Sequence, residues 1–83
     1  SEESNEINEL SSIFQLTGFL KTDHSKYAFV RFLDKNGTIS KDSIGGVNTE
    51  LLPRGAKVTS INTKTMRLSI NFENKDYIFE LQK

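Results

Sequence analysis

The stretch "KYAFVRFLDKNGTIS", Lys26 to Ser40, decides the fold. Its first half is rich in β-branched and aromatic residues that alternate. Ala28, Val30 and Phe32 fall on one face of an extended chain, and Tyr27, Phe29 and Leu33 on the other. Successive side chains of a strand point to opposite faces, so this segment is a strand with apolar groups on both sides. Asn-Gly between apolar runs is a strong hairpin signal, because both residues tolerate the positive φ of a tight turn. Asn36-Gly37 is therefore expected to be the turn, with Thr38 to Ser40 returning as a short third strand. "DKNGTIS" also shares the spacing of a calcium loop, in which alternate oxygen ligands precede an invariant glycine. Aligning Gly37 on that glycine puts Asp34 and Asn36 on ligand positions, but Phe32 on the first position and Ser43 on the last. A calcium loop needs an Asp and a bidentate Glu there, so the hairpin reading is preferred and no metal site is expected.

Working outward, "IFQLTGFLK" (13–21) precedes this hairpin and puts Phe14, Leu16 and Leu20 on one face. Downstream, "DSIGGVNTELLPRG" (42–55) reads as a glycine-containing loop closed by a turn, with Pro53 at position i+1 of a type I turn and Gly55 at i+3. "AKVTSINT" (56–63) is a fourth strand whose apolar residues, Val58 and Ile61, are three apart, which implies a bulge. "TMRLSINF" (65–72) alternates, with Met66, Leu68, Ile70 and Phe72 inward and Arg67, Ser69 and Asn71 outward. "ENKD" (73–76) is the last hairpin turn, and "YIFEL" (77–81) returns with Tyr77, Phe79 and Leu81. Short strands at this spacing without a convincing helix predict an all-β chain, a small six-stranded sandwich. The expected inward residues are Phe14, Leu16, Leu20, Val30, Phe32, Val58, Leu68, Ile70, Phe79 and Leu81.

The 83 residues suffice for one small domain. With 35% apolar and 27% charged residues the composition is that of an ordinary globule, and no apolar run reaches the ~18 residues that would cross a bilayer as a helix. No basic region followed by an apolar one marks a secretory leader, so any signal or anchor is expected outside this chain. The absence of cysteine excludes disulfides, thiolate metal ligands and a cysteine nucleophile. Residues 1–12 hold four acids (Glu2, Glu3, Glu6 and Glu9) and no base, and are read as an acidic flexible linker that can be removed at little cost. The folded domain is read as 13–83. The net charge is zero, so removing those four acids leaves eleven bases against seven acids in the rest, a mild excess suited to an acidic protein surface.

Catalysis finds little support. His24, the single histidine, lies in the polar turn "TDHSK" beside Asp23 and Ser25, whereas a catalytic triad draws its members from separate elements. Asp23, Asp34, Asp42, Glu73 and Asp76 stand at turn positions, where acidic residues are expected for local reasons. "IGGV" (44–47) lacks the context of a phosphate-binding glycine loop. No catalytic residue, no cofactor and no metal are therefore expected. The interleaved aromatic and basic side chains of "KYAFVRF" also suit the stacking strand of an OB-like barrel that binds single-stranded nucleic acid. The low charge and the lack of Trp count against it, as does the possibility that Tyr27 and Phe29 face a second sheet.

The order of landmarks resembles the periplasmic homology region of the type II secretion inner-membrane C component (GspC) and its relative in type IV pilus assembly, the lipoprotein PilP. The matching string is "FQLTGFLKTDHSKYAFVRF", in which a strand ends in an L-x-G step at Leu16 and Gly18, passes a polar turn and re-enters at Ala28 and Val30. After it come the Asn-Gly step, the glycine-containing loop, "LLPRGAKVTSI" and "MRLSINFENKDYIFEL", so the resemblance spans about residues 13 to 81. The family's aromatic-x-V-G-D step is missing from "SKDSIGGVNTELLPRG", and no PDZ domain or coiled coil follows in this chain. The resemblance implies two three-stranded antiparallel sheets packed face to face. It also implies a non-catalytic periplasmic domain of an inner-membrane-anchored subunit, its anchor not in this chain. The implied partners are the N-terminal periplasmic domain of the outer-membrane secretin and other inner-membrane platform subunits, with no nucleic acid. The family's contact surface maps onto Gly18, Phe19, Leu20, Lys21, Ser25, Lys26 and Tyr27.

Overall fold

The computed structural model describes residue 10 and residues 12–81. Its strands are β1 (Phe14–Lys21), β2 (Lys26–Phe32), β3 (Lys35–Ile39), β4 (Lys57–Asn62), β5 (Arg67–Phe72) and β6 (Lys75–Glu80). They form two three-stranded antiparallel sheets in the orders β1-β2-β3 and β4-β5-β6. Each sheet is a meander, and no strand is shared between them, so the chain is an all-β sandwich and the closed barrel of the nucleic-acid alternative does not form.

Between the sheets lie Phe14, Ala28, Val30 and Ile39 from the first and Val58, Ile61, Leu68 and Ile70 from the second, all buried. The rings of Phe14 and Phe79 meet at 4.9 Å, tilted by 57°, a separation favourable for an edge-to-face aromatic pair. Leu52 of the expected loop and Ala56, the first residue of the expected fourth strand, are buried too, as is Leu10. Leu10 stands inside the segment expected to be a linker, so that segment contributes a side chain to the core. The rest of that reading, residues 1–9 and 11, lies outside the described residues.

Of the expected inward residues, Phe14, Val30, Val58, Leu68 and Ile70 are buried, and Leu16, Phe32 and Phe79 pack partly buried against them. Leu81 is half-buried, and Leu20 is 44% exposed. The cause of that last miss is a bulge in β1, where Leu16 pairs with Val30 but Gly18 pairs with Phe29, leaving Thr17 as an extra residue. A one-residue insertion shifts the alternation, so Phe19 turns inward opposite Ala28 and Leu20 turns outward opposite Tyr27. The bulge expected in β4 is present between Val58 and Ser60 and keeps both Val58 and Ile61 inside.

The turn between β2 and β3 is not Asn36-Gly37. Phe32 pairs with Lys35, so Leu33 and Asp34 form a two-residue connection, and Asn36 and Gly37 lie within β3. The positive φ falls on Leu33, at 58°. Asn36 is the cross-strand neighbour of Arg31, a cation beside a residue that a calcium loop would use as a ligand. The β5–β6 connection is similarly shorter than "ENKD": Glu73 and Asn74 alone make it, with φ of 53° and 64° as in a type I′ turn, and Lys75 already pairs with Phe72.

The segment between β3 and β4 is tied down by backbone and side-chain bonds. The Gly45 amide donates to the Ala56 carbonyl at 2.8 Å, and the Val58 amide to the Ser43 carbonyl at 3.3 Å. Ile44 bridges Lys57 in antiparallel fashion. The loop therefore lies along the first residues of β4 and covers that part of its outer edge. The turn at its end starts one residue later than expected: the Ala56 amide donates to the Pro53 carbonyl, which makes Pro53 the first residue, and Gly55 takes the left-handed position with φ 86°. A type II turn reserves that position for glycine.

Candidate interaction surface

The register of the first sheet determines which side chains face away from the core. Opposite the inward set Ala28, Val30 and Phe32 stand Tyr27, Phe29 and Arg31 of β2, beside Leu20, Gly18 and Gln15 of β1 and Thr38 and Asn36 of β3. Leu20 pairs with Tyr27, and Phe29 with Gly18. The Phe29 ring edge lies 3.5 Å from where a Cβ on Gly18 would be, so the aromatic ring covers the bare glycine backbone. Leu20 is 44% and Phe29 39% exposed, and Tyr27 is half-buried. Together they form one apolar patch at the Lys21 and Lys26 end of the sheet. The outer face of the second sheet differs in kind: Asn62, Arg67, Glu80, Ser60, Ser69, Lys57, Asn71 and Asp76 occupy it, with Ile78 as the one large apolar group among the described residues.

The β1–β2 connection closes this patch at one end. The Thr22 amide donates to the Ser25 carbonyl at 2.8 Å, and the Thr22 Oγ1 accepts from the amides of Ser25 at 3.0 Å and His24 at 3.4 Å. These bonds explain the polar residues of the turn by local geometry, and His24 is exposed at its tip. Lys21 and Lys26 face each other across the two strands as a registered pair. Like charges directly opposite are unfavourable in an antiparallel ladder. The ion pairs among the described residues, Lys35 with Glu50 and Arg67 with Glu80, include neither lysine.

Of the residues read as a contact surface, Gly18, Leu20 and Tyr27 share the outer face, while Lys21, Ser25 and Lys26 are exposed at its end. Phe19 is the exception, because the β1 bulge turns it inward to pack against the core. Phe29 completes the patch and was not among them, although the two-sided apolar character of "KYAFVRF" already placed it beside Tyr27. The reading in which Tyr27 and Phe29 face a second sheet does not hold, since Ala28 and Val30 face it instead.

On the other side of the hairpin end is an open cleft of about 670 Å³ between the two sheets, lined by Lys21 and Lys26, by Lys41 from the loop and by Thr59, Ser60 and Ile61 of β4. Comparison of the chain with protein-family models, curated proteins and solved structures finds no match.

Proposed function

We propose that the chain is a non-catalytic interaction domain that docks the N-terminal periplasmic domain of an outer-membrane secretin, as part of an inner-membrane subunit of a type II secretion or type IV pilus system. In this reading the domain lies in the periplasm and is anchored through a part of the protein outside residues 1–83. The observation that carries it is the contrast between the two outer faces. Leu20, Tyr27 and Phe29 expose one contiguous apolar patch on the first sheet, while the second sheet presents polar side chains around Ile78. A contiguous exposed apolar patch with a polar rim marks a protein contact more often than a scattering of single residues does. Lys21 and Lys26 supply the rim and favour an acidic partner. The two three-stranded sheets agree with the architecture that the resemblance implies. A patch this small supports weak binding, in the micromolar range, which a multi-subunit ring strengthens by avidity.

A pull-down of the chain against the purified secretin domain and against single-stranded oligonucleotide tests the reading. Retention of the secretin domain with no oligonucleotide is expected. Oligonucleotide retention that falls steeply with salt, without secretin binding, would overturn it.

A further inference from the structure

The loop that runs along β4 stops short. Ser43 and Ile44 pair with Val58 and Lys57, and among the described residues the backbone of Thr59 to Asn62 has β5 alone as a ladder partner. β4 is therefore an edge strand covered in its first part and open in its second, and Thr59, Ser60 and Ile61 of the open part line the cleft. An open edge presents unpaired N–H and C=O groups that an added strand can satisfy.

The charges around this edge are arranged unevenly. Lys21, Lys26 and Lys41 converge on the cleft from the β1–β2 end and from the loop, and none of them belongs to an ion pair among the described residues. Cross-strand placement of Lys21 and Lys26 costs repulsion that an anion between them removes. Asp23 and Asp42 also line the cleft. They oppose a phosphate chain, which carries a charge at every residue, more than a peptide whose acidic groups are spaced two apart.

We propose that the cleft takes a short extended acidic segment of a partner protein, which adds as a strand to the open edge at Thr59–Asn62 while its carboxylates meet Lys21, Lys26 and Lys41. Backbone pairing supplies the attachment and the lysines select the charge, the division of labour usual in strand addition. This site shares Lys21 and Lys26 with the edge of the outer-face patch but adds Lys41 and the open part of β4, which take no part in the docking of a folded domain proposed above, so the Lys41 and β4 readouts distinguish its failure from the failure of that reading.

The test is a titration of the isotope-labelled 83-residue chain with a short peptide of alternating glutamate and valine, followed by amide shifts. The expected result is saturable shifts confined to Lys21–Tyr27, Lys41 and Thr59–Asn62. Binding should be weakened roughly tenfold by Lys41→Glu at low salt and less by Lys41→Gln. The same peptide with alternate backbone amides methylated should lose binding. Shifts elsewhere, no shifts, equal binding of the methylated peptide, or a single-stranded oligonucleotide displacing the peptide from these residues would each overturn the proposal.

Discussion

A leucine with φ at 58° and 57% of its surface exposed is an unfavourable choice for a two-residue turn. The left-handed conformation costs a non-glycine residue roughly 1–2 kcal/mol, and the backbone bonds around Leu33 hold it there. Its amide donates to the Ile13 carbonyl at 2.8 Å, and its carbonyl accepts from Arg31 Nε at 3.2 Å. Leu33→Gly is therefore expected to raise stability by about 0.5–1 kcal/mol, measured as a higher denaturant midpoint at unchanged slope. An unchanged or lower midpoint contradicts the strain. Asn36-Gly37 misleads as a turn signal because burial outranks local preference. With the turn at Leu33 and Asp34, Ile39 lies opposite Ala28 over the core, whereas a turn at residues 36 and 37 would have set Ile39 opposite Asp34. The two glycines that matter most also exchange roles. Gly37 lacks positive φ, and a Cβ there would displace only a Leu51 methyl, at 2.7 Å, so Gly37→Ala is expected to change stability by less than about 0.5 kcal/mol. A Cβ on Gly45 would strike the carbonyls of Pro53 and Leu52, which are backbone and cannot move aside. Gly45→Ala should cost about 2 kcal/mol or more, and equal midpoints for the two variants would refute the close approach.

Element by element, the strands were legible in period-two patterning and their irregularities only in part. The spacing of three between Val58 and Ile61 reveals the β4 bulge, and the same spacing separates Leu16 from Phe19 in β1. There the signal competes with Leu20, which keeps period two with Leu16. Packing decides in favour of Phe19, whose ring lies opposite the small, fully buried Ala28. The loop before β4 was legible as a loop but not as an ordered one, because its bonds join residues far apart in sequence, such as Ser43 with Val58 and Gly45 with Ala56. Asn48 fastens it from within: its Oδ1 accepts from the Ile44 amide at 2.8 Å and its Nδ2 donates to the Asp42 carbonyl at 2.9 Å. A carboxylate retains the first bond and loses the second, so Asn48→Asp should destabilise by about 1 kcal/mol. Faster amide exchange at Ile44 and Gly45 is the accompanying sign, and unchanged exchange there would show that the loop is held otherwise.

At the scale of the whole molecule the core is shared by two small sheets, and a residue outside every strand closes it. Leu10 is 5% exposed among the core side chains, so Leu10→Ala should cost about 2–3 kcal/mol, and a change below 0.5 kcal/mol on thermal or chemical unfolding would contradict its place there. The sequence made the six-strand sandwich legible because alternation and turn spacing carry it, but Leu10 had only Ile7, three residues before it, as a periodic partner in a polar segment, a pattern too short and uncapped to mark a packed element. The candidate surface was half legible for the same reason. Lys26, Tyr27 and Phe29 lie in the regular register of β2, while the β1 bulge turned Phe19 inward and Leu20 onto the outer face. That face is the centre of the functional account, and its polarity can be changed without touching the core, since Leu20 and Phe29 are exposed, as is Ile78 on the outer face of the other sheet. The most direct measurement is calorimetric titration of the secretin N-terminal domain into the chain and into Leu20→Asp, Phe29→Asp and Ile78→Asp, each first shown to be folded. The account predicts micromolar binding that falls at least tenfold with Leu20→Asp and Phe29→Asp and is unchanged with Ile78→Asp; equal affinity across all three variants, or loss with Ile78→Asp alone, would contradict it.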